Sequence, residues 1–282
     1  MQLIVHGGAG DEPDEPDRRQ SVLDEAAAIG ADATTPVDAV VSAIDILEAD
    51  PRFNAGVGGA IQADGVVRTD AGIMTDERRA GAACSMPGVR HAIGVAHRVM
   101  EETPHVLLAG EHAVALAEGF DIVPEELTTD HTRERFAAAD PPETDEIGDR
   151  IEWVRERFGG ADTVGAVAVD EGRVAAATST GGRWFALAGR VGDVPQIGCG
   201  FYASPAGGAS ATGAGEDIAR TTLAREAVRR LEDGEQPTNA AANAIDEYEE
   251  LTGSTAGVIV LDESGQAGSA YNSAAMQTST DL

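Results

Sequence analysis

The residues best placed to do chemistry gather around Thr163, which follows a charged, glycine-containing run and opens the apolar stretch Val164 to Val169. A threonine hydroxyl is a weak nucleophile unless a base takes its proton. If the chain is cut before Thr163, the freed α-amine is that base: with an unperturbed pKa of about 7.7 to 8.0, it accepts the proton directly or through water. Asp162 puts a carboxylate beside the same peptide bond, where it could assist the cut. On these residues alone an ordinary strand threonine is an equally good reading.

Other nucleophile systems find less support. The chain has no lysine, which removes a phosphate-loop lysine, a Schiff base and a Ser-Lys dyad. All six histidines precede residue 132, so a Ser-His-Asp set would have to join the two halves of the chain, and no serine sits in a nucleophile-elbow pattern. No histidine pair has metal-ligand spacing, and no catalytic metal is expected. Thr212-Gly213-Ala214-Gly215 is a glycine turn ahead of a helix, but a nucleotide-binding role for it rests on glycines alone.

Several elements must position these residues. Leu3-Ile4-Val5 reads as a buried strand ending in the glycine turn His6 to Gly10. Thr35-Pro36 caps a helix whose apolar face is Val37, Val40, Val41, Ile44 and Leu47. Asn54 begins a glycine loop, and Ala63-Asp64-Gly65 turns between two short strands. Residues 82–86 and 93–95 read as strand or strand-helix material, and 105–120 as a helix. Residues 136–160, rich in Ala, Asp, Pro and Glu, read as a flexible acidic linker whose end Trp153 and Phe158 dock.

Beyond it, residues 163–170 and 173–180 form a hairpin around Glu171-Gly172, in a register that sets Thr163 opposite Thr180 with Cβ atoms about 5 Å apart. Helices over 218–231 and 237–251 and a strand over 257–262 follow, then a short polar tail.

The 282 residues include 49 acidic and 20 basic ones, for a formal charge of −29. Such a surface repels phosphate backbones and anionic head groups, so neither nucleic acid nor membrane is an expected partner. It suits the cytoplasm of a high-salt organism, where charge repulsion is screened within roughly 3 Å at 1 M salt. Cys84 and Cys199 read as buried thiols, and no apolar run approaches the ~20 residues of a membrane span. The N-terminus lacks the basic start and long apolar core of a secretory signal, and the chain is read as one soluble, intracellular domain.

The segments 160–170, 175–182 and 189–193 resemble those of the plant-type asparaginase and isoaspartyl peptidase family, related to glycosylasparaginase and threonine aspartase. His6 to Gly10, Phe53 to Val57, Thr212 to Glu216 and the Asn272 region are similar to further family segments in the same order. The resemblance implies an α+β fold, the four-layer αββα sandwich of N-terminal nucleophile hydrolases. It also implies autocleavage between Asp162 and Thr163 into an α subunit (1–162) and a β subunit (163–282), and a dimer of such processed units.

By the same resemblance Thr163 is the nucleophile, flanked by Thr180 and Thr212. Thr212 and Gly213 form an oxyanion hole, whose donors are commonly worth about 3 kcal/mol each. Arg190 and Asp193 grip the α-carboxylate and α-ammonium of a small amino-acid or dipeptide substrate, with Gly213 and Gly215 lining the pocket, and Asn54 orders the loop near the nucleophile. No cofactor is implied beyond a structural sodium ion on the backbone carbonyls of Leu47, Glu48, Asp50, Phe53, Ala55 and Val57.

The implied activity is hydrolysis of the side-chain amide of L-asparagine or of β-aspartyl peptides. Asp162 is like the residue before the nucleophile in glycosylasparaginase and threonine aspartase, where the asparaginase branch has glycine. Arg183-Trp184-Phe185 replaces a polar stretch, and Ala214 stands where a hydroxyl is common. Glycosylasparaginase-like or threonine-aspartase-like activity, and a non-catalytic ligand-binding relative that does not self-cleave, are the alternatives.

Overall fold

The computed structural model describes residues 1–142, 144, 146–158 and 162–282. Its elements in chain order begin with β1 (Gln2–Gly10), α1 (Pro16–Ala31), α2 (Pro36–Ala49), β2 (Arg68–Thr75), β3 (Ala80–Pro87) and α3 (Ala92–Glu102). Next come β4 (Leu107–Ala109), α4 (Gly110–Glu118), α5 (Asp130–Ala138), α6 (Ile147–Arg157), β5 (Val164–Asp170) and β6 (Arg173–Thr180). The chain closes with β7 (Phe201–Ser204), β8 (Gly207–Gly213), α7 (Gly215–Thr221), α8 (Leu223–Glu232), α9 (Pro237–Thr252), β9 (Ala256–Asp262), β10 (Ala267–Tyr271) and β11 (Ala275–Asp281).

Two sheets stack between two helical layers. The larger runs β11-β1-β5-β6-β2-β3-β4, with only the β3–β4 pair parallel, and the smaller runs β10-β9-β8-β7, all antiparallel. Period-two alternation sorts each strand between layers. Leu3, Val5, Val164, Ala166, Ala175 and Ala177 face helices α1 to α4. Ile4, Val167, Val169, Val174 and Ala176 face Phe201, Ala203, Ile259 and Leu261 of the second sheet. On its far side, Ala209, Ala211, Val258 and Val260 pack under α8 and α9. These three apolar interlayers make the αββα sandwich.

The β5–β6 hairpin has the expected register, from Asp170 opposite Arg173 to Val164 opposite Ser179 without a shift. Its turn residues Glu171 and Gly172 both have positive φ, 47° and 77°, the geometry that matches the twist of a two-residue hairpin. Thr35 caps α2 by accepting from the Asp38 N–H.

Other elements differ from the sequence reading. Residues 7 to 10, three of them glycine, continue β1, bulged between His6 and Ala9, instead of ending it. Helix α1 occupies a stretch to which the sequence reading assigned no element. The 105–120 segment starts as strand β4, and the 218–231 helix breaks at Thr222, whose φ and ψ are 52° and 51°. The polar tail pairs as β11 with β1. Within the acidic segment 136–160, α6 is a regular helix and Trp153 is buried against Phe185, while residues 143, 145, 159 and 160 lie outside the described residues. Among the described residues no helix is long and apolar enough to cross a membrane.

Candidate active site

The alternation that builds the sandwich also builds the site. On β5 and β6 the residues facing the second sheet are 165, 167 and 169 and 174, 176 and 178, so the same parity carries Thr163 and Thr180 into the interlayer at one end of the sheet. On β8 Ala209 and Ala211 face the helices, which turns Ser210 and Thr212 toward the first sheet. The sheets approach closely here because the facing residues are small. A Cβ at Gly165 would lie 1.9 Å from Ser210 Oγ and 2.5 Å from His6 Nε2.

Behind the threonines runs a buried polar chain. Thr178 Oγ1 donates to the Gly200 carbonyl at 2.8 Å, so Ser210 Oγ donates to Thr178 at 2.6 Å and accepts from His6 Nε2 at 2.9 Å. That order places a proton on His6 Nε2. Burial keeps the ring neutral, pushing the imidazole down to about 3 despite the opposing effect of the Thr163 main chain.

Thr163 is 5 % and Thr180 4 % exposed. The Asp162 carbonyl, which belongs to the peptide bond before Thr163, accepts from Asn54 Nδ2 at 2.8 Å and from Thr180 Oγ1 at 3.2 Å. Asn54 is fixed for this: its Nδ2 also reaches the Gly182 carbonyl at 2.6 Å and its Oδ1 accepts from the Ala60 N–H at 2.8 Å. The Asp162 side chain lies 3.6 Å from Arg19 Nη2, and Arg19, itself on α1, donates to the Gly7 carbonyl and covers the Phe53 ring. Burial raises the Asp162 carboxyl, opposed by Arg19, although the side chain keeps 37 % of its surface.

A cleft of about 10 Å³ is lined by Thr163, Thr180, Arg183, Arg190, Asp193 and Gly213 among others. Asp193 is buried, its Oδ2 has no hydrogen-bond partner, and burial pushes it up to about 7 against the pull of Arg190. Gly215 leaves room for this pair, since a Cβ there would lie 2.6 Å from Asp193 Oδ1 and 2.8 Å from Arg190 Nη2. One carboxylate bridges two guanidiniums: Glu216 accepts from Arg190 Nε and from Arg183 Nη1, each at 2.8 Å. Burial alone would raise Glu216, but the Arg190 hydrogen bond and the nearby guanidinium charges bring it below the usual range. The Phe158 ring covers Arg183, with its centroid 4.0 Å from Cζ.

A sequence profile of the family described as Asparaginase matches residues 1–281. The chain belongs to the asparaginase family. It is 40 % identical to the plant-type L-asparaginase of Pyrobaculum calidifontis, over 97 % of this chain and 94 % of the relative. It is 39 % identical to the plant-type L-asparaginase of Pyrococcus horikoshii (96 % and 93 % covered), and 36 % identical to the isoaspartyl peptidase/L-asparaginase of Danio rerio (97 % and 90 % covered).

In this asparaginase-family chain the cleft brings together Thr163, Thr180, Arg190, Asp193, Gly213 and Gly215 of the residues singled out from sequence. Thr212 lies behind it, fully buried, with Oγ1 accepting from the Ala9 N–H at 3.2 Å. Asn54 stands at the Asp162 carbonyl, and Asn272 braces the back of Gly213 by holding the Ser254 carbonyl and the Ala256 N–H. Gly160 and Ala161 of the motif lie outside the described residues.

Sequence reasoning missed His6, Arg19 and Asp70 as parts of the site. Asp70 pairs across the sheet with Thr180, accepts from the Ser85 N–H at 2.6 Å, and is pushed up to about 7 by burial. A histidine or aspartate next to glycines and short apolar residues has no local signal for this. Strand register brings Asp70 to Thr180, sheet stacking brings His6 to Ser210, and helix α1 supplies Arg19.

Among the described residues one group has metal-ligand proximity: Asp45, Glu48 and His91, with ligand atoms within 4.8 Å of one another. Arg90 Nε donates to His91 at 2.9 Å and brings a cation to the same place, which argues against a metal there. In the 47–57 loop the carbonyls of Leu47, Glu48 and Asp50 each accept one backbone N–H, leaving one lone pair apiece. Gly56 keeps the loop close, for a Cβ there would meet the Glu48 carbonyl at 2.2 Å. That donor set suits a hard monovalent cation.

Proposed function

We propose that the chain is a self-processing threonine amidohydrolase that hydrolyses the side-chain amide of L-asparagine, or β-aspartyl peptides, to L-aspartate and ammonia or an amine. The observation that carries the reading is the Asp162 carbonyl, held by Asn54 and Thr180 in front of Thr163, in a cleft that also contains an Arg190 and Asp193 pair.

Maturation begins with Thr163 Oγ1 attacking the Asp162 carbonyl carbon. Oxygen gains the negative charge where Asn54 Nδ2 and Thr180 Oγ1 already point. The C–N bond breaks, Thr163 nitrogen takes a proton, and the resulting ester is hydrolysed by water, freeing the Thr163 amine and hydroxyl. Turnover repeats the chemistry on substrate. The amine accepts the hydroxyl proton, the hydroxyl attacks the side-chain carbonyl, and Thr212 Oγ1 with the Gly213 N–H holds the oxyanion. Ammonia or an amine leaves with that proton, and water cleaves the β-aspartyl ester.

Arg190 suits the α-carboxylate by a two-pronged hydrogen bond, and the unpartnered Asp193 Oδ2 suits the α-ammonium. The 47–57 loop holds a structural sodium ion on the carbonyls of Leu47, Glu48, Asp50, Phe53, Ala55 and Val57, steadying Asn54. The working assembly is a dimer of processed units in the cytoplasm of a high-salt organism, which the surplus of acidic residues supports.

Intact mass of the purified protein tests the reading. Fragments ending at Asp162 and beginning at Thr163 are expected, with ammonia release from asparagine, and Thr163→Ala should abolish both. A Thr163→Ala protein that still splits at this bond would exclude the mechanism. A wild-type chain that stays whole and inert would favour a non-catalytic relative.

A further inference from the structure

The cleft holds a second guanidinium that the amidohydrolase cycle does not use. Arg183 lines the same cavity as Thr163 and Arg190, with its side chain 18 % exposed. Nη1 is taken by Glu216 and one face by the Phe158 ring, while Nε is buried without a hydrogen-bond partner. A buried donor left unpaired costs free energy, and it is tolerated where a ligand supplies the acceptor. The Nε and Nη2 edge of a guanidinium is shaped for the two oxygens of a carboxylate.

An aspartyl unit with free α-groups has one carboxylate and one ammonium, which Arg190 and Asp193 already match. A second carboxylate on such a substrate can only be carried by the departing amine. We propose, resting on the amidohydrolase reading above, that Arg183 is a specificity-determining residue that binds a carboxylate on the leaving group. The preferred substrates are then β-aspartyl dipeptides with a free C-terminal carboxylate, ahead of asparagine, whose leaving group is uncharged ammonia.

The test compares kcat/KM at fixed salt for β-aspartyl-leucine, for the same dipeptide with its C-terminus amidated, and for L-asparagine. The wild-type enzyme should favour the free acid over the amide on the order of 10-fold, as a charge-assisted hydrogen bond allows. R183Q should bring that ratio toward one, and R183K should keep part of it. A role confined to bracing Glu216 would lower all three substrates together and leave the ratio unchanged, which would overturn the inference. So would a wild-type ratio near one, read without any variant and therefore independent of whether R183Q folds. Hydrolysis of asparagine with no selectivity between acid and amide overturns Arg183 alone, whereas hydrolysis of none of the three overturns the amidohydrolase reading and this inference with it.

Discussion

Asn54 Nδ2 donates to the main-chain oxygen of Asp162 at 2.8 Å, joining the loop after α2 to the residue that precedes Thr163. Thr180 Oγ1 reaches the same oxygen, so two donors converge where charge develops during the proposed cut. Asn54→Ala removes one of them. Loss of a single such donor costs about 10² to 10³ in rate. A time course of intact mass after expression should therefore show slow accumulation of the 1–162 and 163–282 fragments. Cleavage at the wild-type rate would mean that Asn54 only holds the loop.

Asp193 gives the site a pH dependence with a definite sign. Its carboxyl is pushed up to about 7 by burial, and a substrate ammonium stabilises the ionised form. Binding then requires loss of a proton below about pH 7. KM for asparagine should rise as the pH falls from 8 to 6, more steeply than kcat changes. Asp193→Asn should raise KM at every pH and flatten the dependence. A KM that is flat with pH in the wild type would remove Asp193 from head-group binding.

Asp70 should be visible in stability. Its pKa is 3.8 in the reference state and about 7 in the fold, raised by burial. A raised carboxyl binds more protons folded than unfolded, so its contribution is fully present below about pH 4 and is lost as the pH rises through 7. His6 acts in the opposite sense, being held neutral, and its contribution is lost as the pH drops from 6.5 toward 3. The informative quantity is thus the difference between wild type and Asp70→Asn in denaturant unfolding. That difference should change by on the order of 1 kcal/mol per pH unit between pH 4.5 and 6.5. Parallel stability curves would show that Asp70 does not titrate there.

How far the sequence leads depends on where each signal is stored. The β5–β6 hairpin was legible because alternation and a Glu-Gly turn are local, and its register, unshifted as far as Val164 opposite Ser179, leads toward Thr163 and Thr180 without tertiary information. Strand β1 was cut short because a run of glycines reads as a turn, yet here the glycines let Phe53 and Asp162 press on the strand. The tail 275–281 is mostly polar with only one buried residue, and it is a strand because β1 offers it an edge. Helix α1 shows little apolar periodicity but supplies Arg19. His6, Ser210 and Thr178 meet only through sheet stacking, which no local pattern encodes.

The strand order of the large sheet has a last consequence. Residues before the proposed cut supply β1 to β4, and those after it supply β5, β6 and β11, interleaved so that β1 lies between β11 and β5 while β6 lies against β2. Each fragment is a comb whose missing teeth belong to the other. After the cut, neither piece can leave without opening ladders on both sides of its strands. Reversible unfolding of the processed protein releases one more molecule per unit than that of the uncut chain, so its midpoint should climb more steeply with protein concentration than that of uncut Thr163→Ala.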